Sequence, residues 1–344
     1  MKQIDFEHGT VTSNILNAAL PMLVAQIFNL LYNVVDRIYI ARIQDVGTTA
    51  LGAVGLCFPV IVIITAFSNL FGTGGAPLFS IARGKGDREE ASQIMNTSFT
   101  MLCCCAVMLM LFGLIFARPI LRIFGASNEA LPYAYPYMMI YLLGTVASMI
   151  ATGMNPFINS QGYSTVGMLS VALGAVTNLI LDPIFIFVFG FGIKGAAIAT
   201  ILSQFLSAAF VVNFLHNKAE YRVKLLKFRE LADSLTLLKN IVSLGTAGFI
   251  MQLTNSLVTI CCNNVLAVTG GDLYVSVMTI VSSVRQIIET PLHSLTEGSS
   301  PILSFNYGAR KPKRVKKAAI VMTLLVLAYS AIAWSAILLV PEFL

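Results

Sequence analysis

Nine apolar runs dominate the sequence, near residues 15–41, 50–81, 92–116, 132–157, 166–190, 194–215, 240–268, 273–304 and 318–340. Each is as long as a helix needs to cross a hydrocarbon core, ~20 residues at a rise of 1.5 Å. Backbone amides in lipid must find partners inside the chain, and continuous runs of this length achieve that as helices. With 57% hydrophobic and 11% charged residues, the chain has too few charges to clothe a soluble surface. The expected fold class is an all-α polytopic membrane protein, a helical bundle of about nine transmembrane helices.

The formal net charge of +6 does not point to nucleic acid, because the basic residues sit in short loops between apolar runs. With the N-terminus placed in the cytoplasm, the inside loops collect Lys2, then Arg83, Lys85 and Arg88, then six basic residues from Lys218 to Lys239 and six from Arg310 to Lys317. Outside positions keep Arg42, Arg118, Arg122 and Lys194, with Arg37 near that boundary. This asymmetry is the positive-inside pattern. The six cysteines all fall within apolar runs and show no zinc-ligand spacing. The first ten residues are polar, with no short apolar core leading to a small-residue cleavage site, so no cleaved signal is expected.

The longest polar stretch, 216–239, divides the chain into a six-span lobe at 1–215 and a three-span part at 240–344. Within it, Tyr221 to Ser234 is basic and partly amphipathic, which predicts a cytoplasmic linker lying at the membrane surface. The two parts echo each other. Gly74, Pro77, Ser80 and Gly84 recur with the same spacing as Gly298, Pro301, Ser304 and Gly308, and Gln26 and Asn29 recur as Gln252 and Asn255. Six spans separate the copies, so the repeats are parallel about an axis along the membrane normal, and cargo would pass between two lobes.

Polar residues within the spans are the candidates for function. Gln26, Asn29, Asn33 and Asp36 are spaced three, four and three apart and share one face of the first helix. A carboxylate in a span is costly and marks an ion or substrate path by default. In the second repeat the register puts Thr259 and Cys262 opposite Asn33 and Asp36, so the acid is confined to the first lobe. On the fifth span Asn178 and Asp182 stand four apart and Pro183 follows, freeing the carbonyl of Leu179 beside a carboxylate. This oxygen-rich group suits a proton or sodium. On the eighth span Arg285, Glu289, His293 and Glu297 recur every four residues; the pattern fits either a metal site or protonation ladder, or an Arg285–Glu289 ion pair with Glu297 wet at a helix end. Gly72, Gly74 and Gly75 lack the strand and the Lys-Ser/Thr of a phosphate loop, so close helix packing explains them better. Methionines and phenylalanines at helical spacing are bundle packing, a few of them suited to line a cavity for apolar cations.

An ordered set of short motifs resembles the multidrug and toxic compound extrusion (MATE) family. It comprises Pro21 followed by Leu31-Tyr32-Asn33-Val34-Val35-Asp36-Arg37-Ile38-Tyr39-Ile40; Gly74-Gly75-Ala76-Pro77 with Ser80 and Gly84-Lys85-Gly86-Asp87; Asn178 with Leu181-Asp182-Pro183-Ile184; Gly195 through Thr200; and Pro301-Ile302 with Asn306-Tyr307-Gly308-Ala309. The resemblance implies a plasma-membrane antiporter, not an enzyme, that exports cationic amphiphilic drugs in exchange for sodium or protons, with no cofactor beyond that coupling ion. It implies a cation site at Asp36, Asn33, Asn178, Asp182 and Thr200, with sodium possible at Asp36, Asn178 and Asp182. Gln26, Asn29, Gln252, Asn255, Glu289 and His293 are secondary candidates, and membrane lipids are the other expected partner. Ala41 departs from the glycine usual after the first motif. The family has two six-helix lobes, so nine spans imply a C-terminally truncated chain with an incomplete second lobe. The alternatives are a lipid-linked oligosaccharide flippase, for which Arg37 and Arg285 are the available pyrophosphate ligands, a metal-dependent intramembrane enzyme built on Glu289, His293 and Glu297, and an inactive fragment.

Overall fold

The computed structural model describes residues 3–43 and 46–339. Lys2 and the final stretch Val340–Leu344, both used above, lie outside the described residues. The described chain forms α1 (Val11–Ala41), α2 (Gly47–Lys85), α3 (Arg88–Ile123), α4 (Leu131–Leu143), α5 (Thr145–Ser160), α6 (Ser164–Pro183), a π-helical turn (Ile184–Val188), α7 (Ile193–Asn217), α8 (Phe228–Asp233), α9 (Leu235–Gly308) and α10 (Pro312–Leu339). The first three expected spans are α1, α2 and α3, each a few residues longer than its apolar run. The fourth is bent by 56° between α4 and α5. At that break Gly144 leaves room for Ile201 and Gln204 of α7, where a Cβ would collide. The fifth span is α6 with its π turn, the sixth is α7 and the ninth is α10.

The seventh and eighth spans differ from expectation: the loop at 269–272 is absent, and helical hydrogen bonding runs through both as the 74 residues of α9. Yet α9 does not run straight. Its Gly245 lies against Leu70 of α2 and its Gly308 against Ile81 of the same helix. Leu70 and Ile81 are roughly 16 Å apart along α2, whereas a straight α9 would separate Gly245 from Gly308 by roughly 95 Å. The helix therefore folds back on itself, and its two ends pack as antiparallel segments, 235–259 and 285–308. Of the two, Leu235–Thr259 is long and apolar enough to cross a membrane, and with the bent α4–α5 pair counted once the described residues supply eight such spans in place of the expected nine.

Those packing contacts express the internal repeat directly. Gly74 meets Ile241 and Gly245, while Gly298 meets Ala19. Ala19 and Gly245 occupy equivalent places in the Gln26/Gln252 register, and Gly74 and Gly298 are equivalent in the other. Gly84 meets Phe305 and Gly308 meets Ile81, again an exchange of equivalent partners. Small residues let backbones approach closely where lipid supplies no hydrophobic drive for helix association. Each lobe thus presses its second span onto the other lobe through the same glycines, as a parallel two-fold arrangement requires.

The Gly84-Lys85-Gly86-Asp87 motif resolves into three separate tasks. Gly84 admits the other lobe, Gly86 closes α2 at a φ of 80°, and the Asp87 carboxylate caps α3 by accepting from the Glu90 amide at 2.9 Å. Within the linker only Phe228–Asp233 is helical, and residues 222–227 carry no regular structure and lie against the first lobe. The Lys224 amide donates to Asn96 Oδ1 at 2.8 Å and the Leu226 amide to Thr100 Oγ1 at 3.0 Å, both on α3. Buried Gln161 clamps Tyr221, accepting from its amide at 3.0 Å and donating to its carbonyl at 3.3 Å. A chain with ready-made side-chain partners for its amides gains nothing by coiling.

The N-terminal segment straps the lobes together at the end of the bundle that carries the basic loops. The Ile4 amide donates to the Gly162 carbonyl in the first lobe at 2.9 Å. The Phe6 carbonyl accepts from Asn306 Nδ2 at 3.0 Å, and Lys311 pairs with Glu7 at 2.7 Å, both partners lying in the second part of the chain. Phe6, Val11, Ile15, Ala18, Ile302 and Ala318 bury a small apolar cluster beneath this strap.

Candidate functional site

Helices α1 and α6 run parallel and pack against each other, so a turn of one faces the corresponding turn of the other. Tyr32 and Asp36 are one turn apart on α1, as Asn178 and Asp182 are on α6. The carboxyl groups of Asp36 and Asp182 meet between the two helices. Asp182 is fully buried and Asn178 nearly so. Asn178 Nδ2 donates to Asp182 Oδ1 at 3.2 Å and reaches Thr200 Oγ1 of α7 at 3.4 Å, and the Thr200 hydroxyl also meets Tyr32. Pro183 ends α6 immediately after the acid, and the chain widens into the π turn, with the Phe189 amide reaching back to the Ile184 carbonyl at 2.9 Å.

Two carboxylates in contact repel, and away from water that repulsion is strong. A proton or a monovalent cation between them relieves it. Three buried oxygens at this site have no hydrogen-bond partner, Asp36 Oδ1, Asn178 Oδ1 and Asp182 Oδ2. Buried acceptors left unpaired are costly, and oxygens of this type on adjoining side chains are chemically suited to a proton or a small hard cation.

One turn nearer the strap, Tyr32, Asn33, Asn178 and Thr200 form the wall of a cavity of about 800 Å³ between the lobes. Gln26 and Asn29 continue the wall along α1; Gln252, Gln286, Thr290 and Glu297 supply it from α9. Asn33 belongs to this wall; its amide turns back to the Asn29 carbonyl at 2.7 Å, with no described bond to the carboxyl pair. Gln252 accepts from Asn69 across the lobes at 2.8 Å.

Other expected positions do not converge. Asn255 is exposed on α9 and does not line the cavity. Glu289 faces Arg285 at 3.9 Å, His293 is exposed off the wall, and of this row only Glu297 reaches the cavity. The four-residue spacing stacked them on one helix face, but no second helix brings a ligand to that face, and among the described residues no cluster of His, Cys, Asp or Glu is arranged for a metal. Arg37 and Arg285, on which pyrophosphate binding would depend, are both off the wall.

Several site residues escaped the sequence reading. Tyr137 of α4 lies close to Asp36, Tyr141 one turn on lies near Tyr32, and Gln204 donates to the Tyr141 hydroxyl at 3.5 Å. Asn155 and Asn159 of α5 extend the polar wall, with Asn155 donating to the Gly167 carbonyl at 3.0 Å and to Ser170 Oγ at 2.8 Å. Both pairs are spaced four apart, the signal that singled out Asn178 and Asp182, but neither contains a charge to draw attention to it.

The family model MatE matches residues 21–184 and 248–344. The multidrug export protein MepA of Staphylococcus haemolyticus is 24% identical over 90% of this chain and 67% of its own length. That of Staphylococcus aureus is 26% identical over 89% of this chain and 67% of its length. The chain thus spans about two thirds of these relatives. Among solved structures, a MOP superfamily transporter from Pyrococcus furiosus superposes with a TM-score of 0.89 at 26% identity, covering 99% of this chain and 75% of that one. An outward-facing multidrug resistance MATE family transporter matches with the same TM-score, identity and coverage. Motif order, lobe architecture and the matched family model agree that this multi-pass membrane protein belongs to the MATE family of transporters.

Proposed function

We propose that the chain is the coupling lobe and part of the second lobe of a secondary antiporter that exports cationic amphiphilic compounds in exchange for sodium ions or protons. The observation that carries this reading is the meeting of Asp36 with Asp182, beside three unpaired buried oxygens, one helical turn from a large inter-lobe cavity. A cation held there relieves the repulsion within the pair and favours one arrangement of α1 against α6; its departure favours another. Exchange of cation for cargo then follows from the difference in affinity of the two arrangements. The names of the MepA relatives support small-molecule drugs as cargo. The basic loops, the strap and the linker gather at one end, and this end is assigned to the cytoplasm by the positive-inside pattern. Residues 1–215 form the first lobe, 216–239 the linker and 240–344 the beginning of the second. Charge argues against the flippase alternative, because the cavity offers a pyrophosphate no arginine.

The test is dye efflux from vesicles under sodium and proton gradients imposed separately, comparing the wild-type chain with Asp36→Asn and Asp182→Asn. Each variant should abolish gradient-driven efflux, and the gradient that drives the wild type identifies the coupling ion. Undiminished efflux by Asp36→Asn would overturn the assignment.

A further inference from the structure

Among the described residues lining the cavity, Glu297 alone carries a charged side chain. Its repeat equivalent is Thr73, which lines the same cavity but commits its hydroxyl to the Asn69 carbonyl at 2.7 Å. The glycine after each, Gly74 and Gly298, is pressed into the other lobe. That contact fixes the backbone at 297 beside the cavity and aims the side chain inward. Glu297 is solvent-accessible although protein surrounds it, and no hydrogen bond or ion pair to its carboxylate is described. His293 is its titratable neighbour, one turn earlier and off the wall.

Glu297 is also far from the carboxyl pair. Gly298 touches Ala19, and Asp36 lies seventeen residues further along α1, roughly 25 Å at 1.5 Å per residue. That distance exceeds the ~8 Å screening length of physiological salt in a wet cavity. Glu297 thus lines one end of the cavity, and the carboxyl pair lies one helical turn beyond the other. Near Glu297 the wall offers Met22, Gln26, Pro301 and Ser300, an apolar and neutral polar surround for a single charge. A bare carboxylate in such a surround suits a bulky monovalent organic cation, whose charge it balances while its apolar groups contact methionine and proline.

Resting on the reading of the chain as a cation-coupled exporter, we propose that Glu297 is the charge-recognition residue for cationic cargo, at the opposite end of the cavity from the coupling-ion pair. Cargo and coupling ion then occupy different carboxylates and oppose each other through the arrangement of the lobes instead of displacing one another from one group. Gly298 makes this plausible mechanically, since cargo on Glu297 sits next to the contact that closes the strap end.

The experiment is equilibrium binding of tetraphenylphosphonium, and of uncharged triphenylphosphine oxide, to the purified chain in lipid nanodiscs, for wild type, Glu297→Gln and Glu297→Asp. Glu297→Gln should weaken tetraphenylphosphonium about tenfold and leave the neutral probe within about twofold, with Glu297→Asp retaining most of the affinity for the cation. Retained neutral-probe binding shows that the variant is folded. Equal tetraphenylphosphonium affinity in wild type and Glu297→Gln would overturn the assignment of Glu297 and leave the exporter reading standing. Parallel loss of both probes in Glu297→Gln would also overturn it, because the effect would then not be one of charge. A wild-type chain that binds neither probe overturns both.

Discussion

The glycine contacts between the lobes can be tested by adding a single carbon. A Cβ at position 84 would meet the Phe305 carbonyl oxygen and the Ala309 amide nitrogen, and one at position 308 would meet the Ile81 carbonyl. These obstacles are backbone atoms, so no rotamer change relieves them and the helices have to part. Overpacking of this kind costs about 1–3 kcal/mol. At 1.4 kcal/mol per decade, Gly84→Ala and Gly308→Ala should each shift the equilibrium away from the closed strap end by about fivefold to a hundredfold. Spin labels on Glu89 and Lys317, both exposed at that end, report the change as a longer inter-lobe distance. The double variant should add little to either single one, because both glycines sit in one contact that has already opened. Gly52→Ala is the control: its Cβ meets open space, so only the ~1 kcal/mol helix preference of alanine acts there. Unchanged distances in both Gly84→Ala and Gly308→Ala would refute the claim that this contact holds the lobes closed.

Two further outcomes follow from the strap and the linker. Gln161→Leu leaves the Tyr221 amide and carbonyl without their partner, which should destabilise the docked linker by about 2 kcal/mol and raise hydrogen exchange across residues 221–226; unchanged exchange would show that the clamp is dispensable. The Glu7 carboxyl is held below the usual glutamate range by the hydrogen bond and then by the charge of Lys311, so the pair's contribution is fully present above the ordinary glutamate pKa of ~4.3 and is lost as pH falls through the lower folded value. Exchange of residues 3–9 should therefore rise on acidification in that window, and Glu7→Gln should flatten the rise; because Asp5 and His8 flank Glu7, the difference between the two proteins is the quantity to read.

What could be read from the sequence was what costs free energy locally. Apolar length gave the spans, because an unpaired amide in lipid is intolerable whatever surrounds it. The isolated acids Asp36 and Asp182 stood out for the same reason, and the structure brings them together. The paired recurrences at Gly74/Gly298 and Gly84/Gly308 marked the repeat, though not that each glycine touches the opposite lobe. Features that depend on a distant partner were invisible. Residues 221–227 look amphipathic, and only the hydroxyl and amide of Thr100 and Asn96 explain why they form no helix. Tyr137 reads as an ordinary span residue until α4 places it beside Asp36. The break between the runs 240–268 and 273–304 reads as a boundary between spans, whereas helical structure continues across it in α9.

The scaffold and its chemistry obey different symmetries. The glycine contacts of Gly74 with Gly245 and Gly298 with Ala19, and of Gly84 with Phe305 and Gly308 with Ile81, come in repeat-related pairs. The acids have none: Cys262 stands where the second lobe would place Asp36, and Thr73 where the first would place Glu297. A parallel two-fold contact of this kind lets the two lobes rock against each other about one set of glycines. Symmetric charges on that hinge would bind the same cation in both halves and could not distinguish coupling ion from cargo. On the exporter reading proposed above, an acid pair in the first lobe and Glu297 in the second would let one rocking motion release an ion at one place while it takes up an organic cation at another. On that reading, Cys262→Asp would restore the acid to the second copy of the α1 stripe and should add a competing cation site there, lowering the coupling of efflux to the imposed gradient.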